Sequence, residues 1–192
     1  MTLKDVPWSP RIGAEFNMAS GDGDANCGGT AAAPGTACNG TSNTFENLYP
    51  TNHIVMGYAY AMAWRNMVAY SGSLQVIPFD NPSNHLEFRY WNFRRQSTGD
   101  NWYRSAQNVY FGPGTGALGT GTAGITNRAA HLYDEVDIIY TLYFKNNKVA
   151  WQTGWSYLFS GAFLDNLAAA NNGAGYKAID QTWGYTQIHV NF

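Results

Sequence analysis

The chain has 192 residues and a formal net charge of −2, with only 12% charged and 16% aromatic residues. Soluble domains carry roughly 25% charge, so part of this surface is expected to face something other than water, and the near-neutral balance lacks the basic stripe of a nucleic-acid binder. A mean hydropathy of −0.33 and the lack of any apolar run near the ~20 residues of a membrane-crossing helix exclude a helical membrane protein.

Two all-β readings stay open on composition, which includes 21 Gly. One is a transmembrane barrel, whose apolar and polar residues alternate and cancel in a hydropathy average. The other is a soluble β-sandwich or jelly roll, also rich in Gly and aromatics.

Met1 leads through Lys4 and Asp5 to Pro7 without the apolar stretch of a secretory signal. Export needs such a signal, so the sequence reads as part of a longer protein. The first alternating segment, Arg11 to Met18, sets Ile12, Ala14, Phe16 and Met18 against Arg11, Gly13, Glu15 and Asn17. A long connection, about 19 to 62, follows. In it Cys27 and Cys38 bracket a Gly-, Ala- and Pro-rich loop. In an oxidising compartment a disulfide between them would contribute on the order of 3 kcal/mol by chain-entropy estimates; two free thiols are the alternative. Asp22 and Asp24 form a solvated turn or a calcium site, but the downstream bidentate Glu of an EF-hand is missing.

The segment from about Ala63 to Pro78 places Trp64, Val68, Tyr70, Leu74 and Val76 opposite Arg65, Ser71, Ser73 and Gln75. After a turn at residues 80 to 84, Leu86, Phe88 and Tyr90 alternate with Glu87, Arg89 and Trp91. A second long connection, 98 to 130, contains the Gly/Ala/Thr run 112 to 124, read as the flexible tip of an outer loop. From Glu135 to Lys145, Val136, Ile138, Tyr140, Leu142 and Phe144 share one face; Glu135, Asp137, Thr141, Tyr143 and Lys145 share the other, with Ile139 as the exception. Asn146 and Asn147 suit a two-residue hairpin, because Asn tolerates positive φ. The returning strand, Val149 to Phe159, carries Trp151, Trp155 and Tyr157 outward, with Thr153 as a polar intruder. A third long connection, 161 to 180, precedes a last strand from about Gln181 to Phe192.

Short turns and long connections thus alternate. Outer-membrane barrels sort their connections in this way, with short periplasmic turns and long extracellular loops. The fold class expected is all-β, an antiparallel up-and-down transmembrane β-barrel segment of about six long strands, with residues 1–192 as one incomplete C-terminal portion. Six strands fall short of the smallest known barrels, which have 8.

Several segments carry a more specific signal: PRIGAEFNMASGD from Pro10 to Asp22, TFENLYPTNH from Thr44 to His53, AWRN from Ala63 to Asn66, DNWY from Asp100 to Tyr103, and the closing GYTQIHVNF. Together they resemble the C-terminal region of the alginate-export family of outer-membrane porins. The outer-loop string Leu48, Tyr49, Pro50, Thr51, Asn52 and His53 is the most distinctive part. It reads as a packed structural loop or as a gate at the outer mouth. The resemblance implies passive diffusion or export of an anionic polysaccharide or similar small solute through a charged lumen in the bacterial outer membrane, with membrane lipid as the outer neighbour. Ile188, Val190 and Phe192 also resemble the C-terminal signal read by the barrel-assembly machinery.

With these faces, the lumen receives Arg11, Glu15, Arg65, Glu87, Arg89, Arg95, Glu135, Asp137 and Lys145. In lipid each Arg or Lys would cost roughly 2 to 4 kcal/mol at the midplane. These groups are expected either to form cross-strand pairs or to contact a passing anion. Trp64, Trp151, Trp155 and Tyr157 are candidates for interfacial girdles. The four histidines, His53, His85, His131 and His189, show no catalytic or metal-ligand spacing, so no enzyme, metal or cofactor is expected. Two other functions remain open: a soluble carbohydrate-binding β-sandwich, and a porin sheath around another outer-membrane component.

Overall fold

A computed structural model describes residues 1–3, 5–23, 41–48, 56–59, 61–104, 109–111, 127–144 and 146–190. Six strands form one antiparallel sheet: β1 (Arg11–Ala19), β2 (Met67–Val76), β3 (Asn84–Arg94), β6 (His131–Phe144), β7 (Val149–Ser160) and β8 (Gln181–Val190). Their spatial order is their order in the chain, the up-and-down topology expected from sequence. Between β3 and β6 a small separate hairpin pairs β4 (Trp102–Tyr103) with β5 (Val109–Phe111).

The connections separate by length onto the two ends of the sheet. At one end a 3₁₀ turn, Pro78–Asp80, links β2 to β3, and a tight turn links β6 to β7. Asn146 and Asn147 hold φ of 57° and 67° in that turn, the left-handed pair that a primed hairpin demands. Such a turn leaves one register open, and the strands adopt it: Asp137 lies opposite Ser156 and Ile138 opposite Trp155. The N-terminal segment joins the same end, where the Ile77 N–H donates to the Trp8 carbonyl.

Register carries each alternating pattern into its neighbour, so the two faces of the sheet are uniform. One row across the outer face reads Ile12, Leu74, Phe88, Ile138, Trp155 and Gly184. Its neighbour reads Ala14, Gly72, Tyr90, Val136, Tyr157 and Thr182. Ile12, Phe16, Met18, Tyr70, Phe88, Trp155 and Ile188 stand exposed on this face. The opposite face is the buried one, and there Glu135, Asp137 and Ser156 are fully enclosed. A water-soluble sheet has the reverse arrangement, since burial of apolar area drives its folding.

At the long-loop end the inner face is filled. Trp91 stacks on Phe93 (5.3 Å), Phe93 meets Tyr133 (4.8 Å), and Trp102 packs against Tyr133 and Phe163. Met56, Met62, Met67, Leu132 and Leu167 complete this core. Phe163 and Leu167 belong to α1 (Ala162–Asn172), a helix inside the connection read from sequence as plain loop. Its Ala-rich body favours the helix and Gly173, at φ 108°, ends it.

The segment before β2 also differs from the extended reading. Asn66, at φ 45°, breaks the strand, so β2 starts at Met67, and Trp64 packs on the inner core instead of in an outer girdle.

Candidate functional site

The inner face of the sheet is the candidate site. Toward the short-turn end β3, β6, β7 and β8 place Glu87, Arg89, Asp137, Gln152, Ser156 and Tyr185 on this one face, because residues two apart on a strand share a face. Arg89 Nη2 lies 2.6 Å from Glu87 Oε1, and its Nε donates to the same oxygen at 2.9 Å. The guanidinium also covers the Trp91 ring, 5.6 Å from its centre. Ser156 Oγ donates to Asp137 Oδ1 at 2.5 Å. Gln152 Oε1 accepts from Tyr185 Oη (2.8 Å) and Gln187 Nε2 (2.6 Å), and Gln152 Nε2 donates to Thr141 Oγ1. A wall of this kind is polar, cross-linked and held in place.

Part of the loop between β1 and β2 lies against this wall. The Ala59 N–H donates to Glu135 Oε1 at 3.0 Å, and Tyr58 stacks on Tyr185 with ring centres 5.7 Å apart and planes 5° from parallel. Gly57, at φ 80°, passes so close that a Cβ there would sit 2.6 Å from the Glu135 carboxylate. Burial and the nearby Glu87 push the Tyr58 phenol up, so it stays protonated. Nothing in the local sequence marks these loop residues as wall contacts.

The sequence candidates fall into separate places. Glu15, Glu87, Arg89, Glu135 and Asp137 share the inner face; Glu15 accepts from Asn17 Nδ2 at 2.8 Å. Arg11 is exposed at the short-turn end of β1. Arg65 and Arg95 lie off the strands, buried among the loops of the opposite end. Arg65 pairs with Glu46 at 2.9 Å and covers the Tyr103 ring. Arg95 donates to the carbonyls of Asp100 (2.8 Å), Asn127 (2.9 Å) and Ala129 (2.7 Å), with its guanidinium 4.4 Å from the centre of Phe163. Ile188 and Val190 are exposed on the outer face of β8, and Leu48 is exposed on its loop. Lys145, Cys27, Cys38, Tyr49, Pro50, Thr51, Asn52, His53 and Phe192 lie outside the described residues, as does Asp24 of the turn considered for calcium.

A buried polar knot joins those loops. Asp100 accepts four hydrogen bonds, from the Asp22 N–H (2.8 Å), Thr44 Oγ1 (2.6 Å), the Asn101 N–H (2.7 Å) and Tyr103 Oη (2.8 Å). Burial and the adjacent carboxylate push the Tyr103 phenol up, which keeps it a donor. Asn66 ties in the next turn: Nδ2 donates to the carbonyls of Ser97 and Asn101, and Oδ1 accepts from the Ser97 N–H. Asp22 serves the knot through the Asn43 N–H, which donates to its carboxylate.

The outer face treats its few polar atoms differently. Trp151 Nε1 donates to Thr186 Oγ1 at 2.8 Å, Thr153 Oγ1 to the Tyr185 carbonyl at 2.9 Å, and Thr182 Oγ1 to the Ser156 carbonyl at 3.2 Å. Each of these donors finds its acceptor within the sheet.

Comparison with known proteins agrees with this geometry. A family model described as alginate export matches residues 1–174, all of the chain up to the end of α1 but short of β8. Neither a curated protein nor a solved structure matches the chain.

Proposed function

We propose, from the premise that this chain belongs to the alginate-export family, that its six strands are a stretch of barrel wall in the bacterial outer membrane. The wall serves the passive diffusion or export of an anionic, alginate-like polysaccharide or a similar solute. One observation carries the reading: the large apolar side chains lie on the exposed face while carboxylates and hydroxyls lie on the enclosed one. Contiguous exposed apolar patches beyond a few hundred Å² are rare on soluble monomers; hydrocarbon is the neighbour that suits a face this wide. A β-sandwich would need a second sheet over the Val136, Ile138, Tyr140 and Leu142 flank, and among the described residues none covers it.

Family membership is consistent with a polysaccharide cargo, and the inner wall is consistent with a hydrated one. Its half-buried glutamine amides and the Glu87–Arg89 pair can exchange hydrogen bonds with a sliding chain of sugars. The preference for an anion rests on the family, since Arg89 is matched by Glu87 in this stretch. Closure requires strands beyond β1 and β8, from the same polypeptide or from further copies, because the smallest barrels have 8 strands.

Reconstitution of the intact protein in planar bilayers tests the reading. Ion-conducting channels are expected, with current reduced by added polyuronate and with selectivity altered by Arg89→Glu. A protein that gives no conductance, or that purifies without detergent as a monodisperse monomer, rules the transport role out.

A further inference from the structure

We propose that residues 56–59 form a constriction inside this channel and that Glu135 is the positioning residue that holds them there; the inference rests on the transport reading above. The segment comes from the long-loop end yet reaches far down the inner face. Tyr185, on which Tyr58 stacks, is level with Ile139 through Gly154. Ile139 lies eight residues into β6 from His131, or about 26 Å along the strand at ~3.3 Å per residue. A loop that only capped the mouth would stop short of that level.

Three contacts fix the tip. The Ala59 N–H reaches Glu135 Oε1, the Tyr58 ring lies flat on Tyr185, and Gly57 gives the backbone room against the carboxylate. Glu135 and Asp137 lie two residues apart on one face of β6, with their carboxylates close together. Both are fully buried. Facing this pair are Tyr58 from the loop, Glu87 and Arg89 from β3, Tyr133 on β6 and Ser156 from β7. The two carboxylates therefore divide the work: Asp137 is tied to β7 through Ser156, and Glu135 receives the loop. A carboxylate kept merely for wall rigidity would bond to a neighbouring strand, whereas Glu135 Oε1 bonds to loop backbone.

Single-channel conductance of the intact protein in planar bilayers tests the anchor from both sides. Glu135→Ala removes the acceptor, and Gly57→Val adds bulk where a Cβ already meets the carboxylate. Each is expected to raise conductance by about twofold or more as the tip leaves the lumen and the water-filled cross-section widens. Glu135→Gln keeps both the length of the side chain and the Oε1 acceptor for the Ala59 N–H, so it retains the wild-type conductance. Wild-type channels with conductance unmoved by Glu135→Ala and Gly57→Val overturn the anchor and leave the transport reading standing; no wild-type channel overturns the transport reading. Should the variants fail to insert, amide exchange of the wild type decides the matter. An Ala59 amide as protected as the strand amides supports the anchor, and one exchanging at the rate of free chain refutes it.

Discussion

Ile138→Arg is the substitution that most directly weighs hydrocarbon against water as the neighbour of the outer face. Ile138 lies within one residue of the midpoint of β6, flanked in register by Phe88 and Trp155, both exposed. If the strand crosses a bilayer, this position is at the midplane, where an Arg costs about 2 to 4 kcal/mol. At 1.4 kcal/mol per factor of ten, the folding equilibrium falls by about 30- to 700-fold. Two companion variants calibrate the number. Val149→Arg, at the short-turn end of the same face, is expected to cost only about 0 to 1 kcal/mol, because the penalty fades toward the interface. Ser71→Arg, on the inner face opposite Glu15 and Trp91, keeps its charge in the lumen and is expected to stay within about 1 kcal/mol. Urea titration of folding into lipid vesicles, read by Trp fluorescence and by gel mobility, measures all three. A surface substitution in water typically stays within ±0.5 kcal/mol. An Ile138→Arg cost of that size, or equal costs at 138 and 149, removes the physical basis for a lipid-facing sheet.

The loop end makes its own predictions, separable from the barrel. Arg95→Ala deprives three buried carbonyls of a charged donor and is expected to cost on the order of 3 kcal/mol of local loop stability, since bonds to charged groups are each worth about 1.5 to 3. Proteolysis within the loops then accelerates while the heat-resistant barrel band on gels stays unchanged; Arg95→Lys recovers less than half, for want of the planar fork. Asp100→Asn turns one of two acceptor oxygens into a donor facing two donors. It is expected to weaken the knot by about 2 kcal/mol, seen as faster amide exchange at Asp22 and Asn101 with strand amides unaffected.

How much of this was legible beforehand follows from the range of each interaction. Strand positions and their two faces depend on side-chain direction, which repeats every two residues and is read within one segment; the alternation at Val136, Ile138, Tyr140 and Leu142 is an example. The turn at Asn146 and Asn147 is equally local, and it imposes the facing of Asp137 with Ser156 without knowledge of any other strand. The sorting of connections into short and long likewise located every loop at the correct end of the sheet.

The inner site was legible only in outline. Glu87, Arg89, Glu135 and Asp137 belong to one face by parity, but their partners Tyr58 and Ala59 come from a loop 76 residues away from Glu135 in the case of Ala59. Arg65 and Arg95 have the composition of pore cations, and just beyond the ends of β2 and β3 their parity carries no meaning. What they bind depends on where the backbone carbonyls of residues 100, 127 and 129 converge. Composition and period two therefore settled the sheet, its faces and its turns, because those are decided by neighbours in the chain. The aromatic filling of the outer end, the polar knot and the loop lying on Glu135 were settled by tertiary structure alone, since each requires groups far apart in sequence to meet, and buried hydrogen-bonding groups accept whichever partner packing brings within reach.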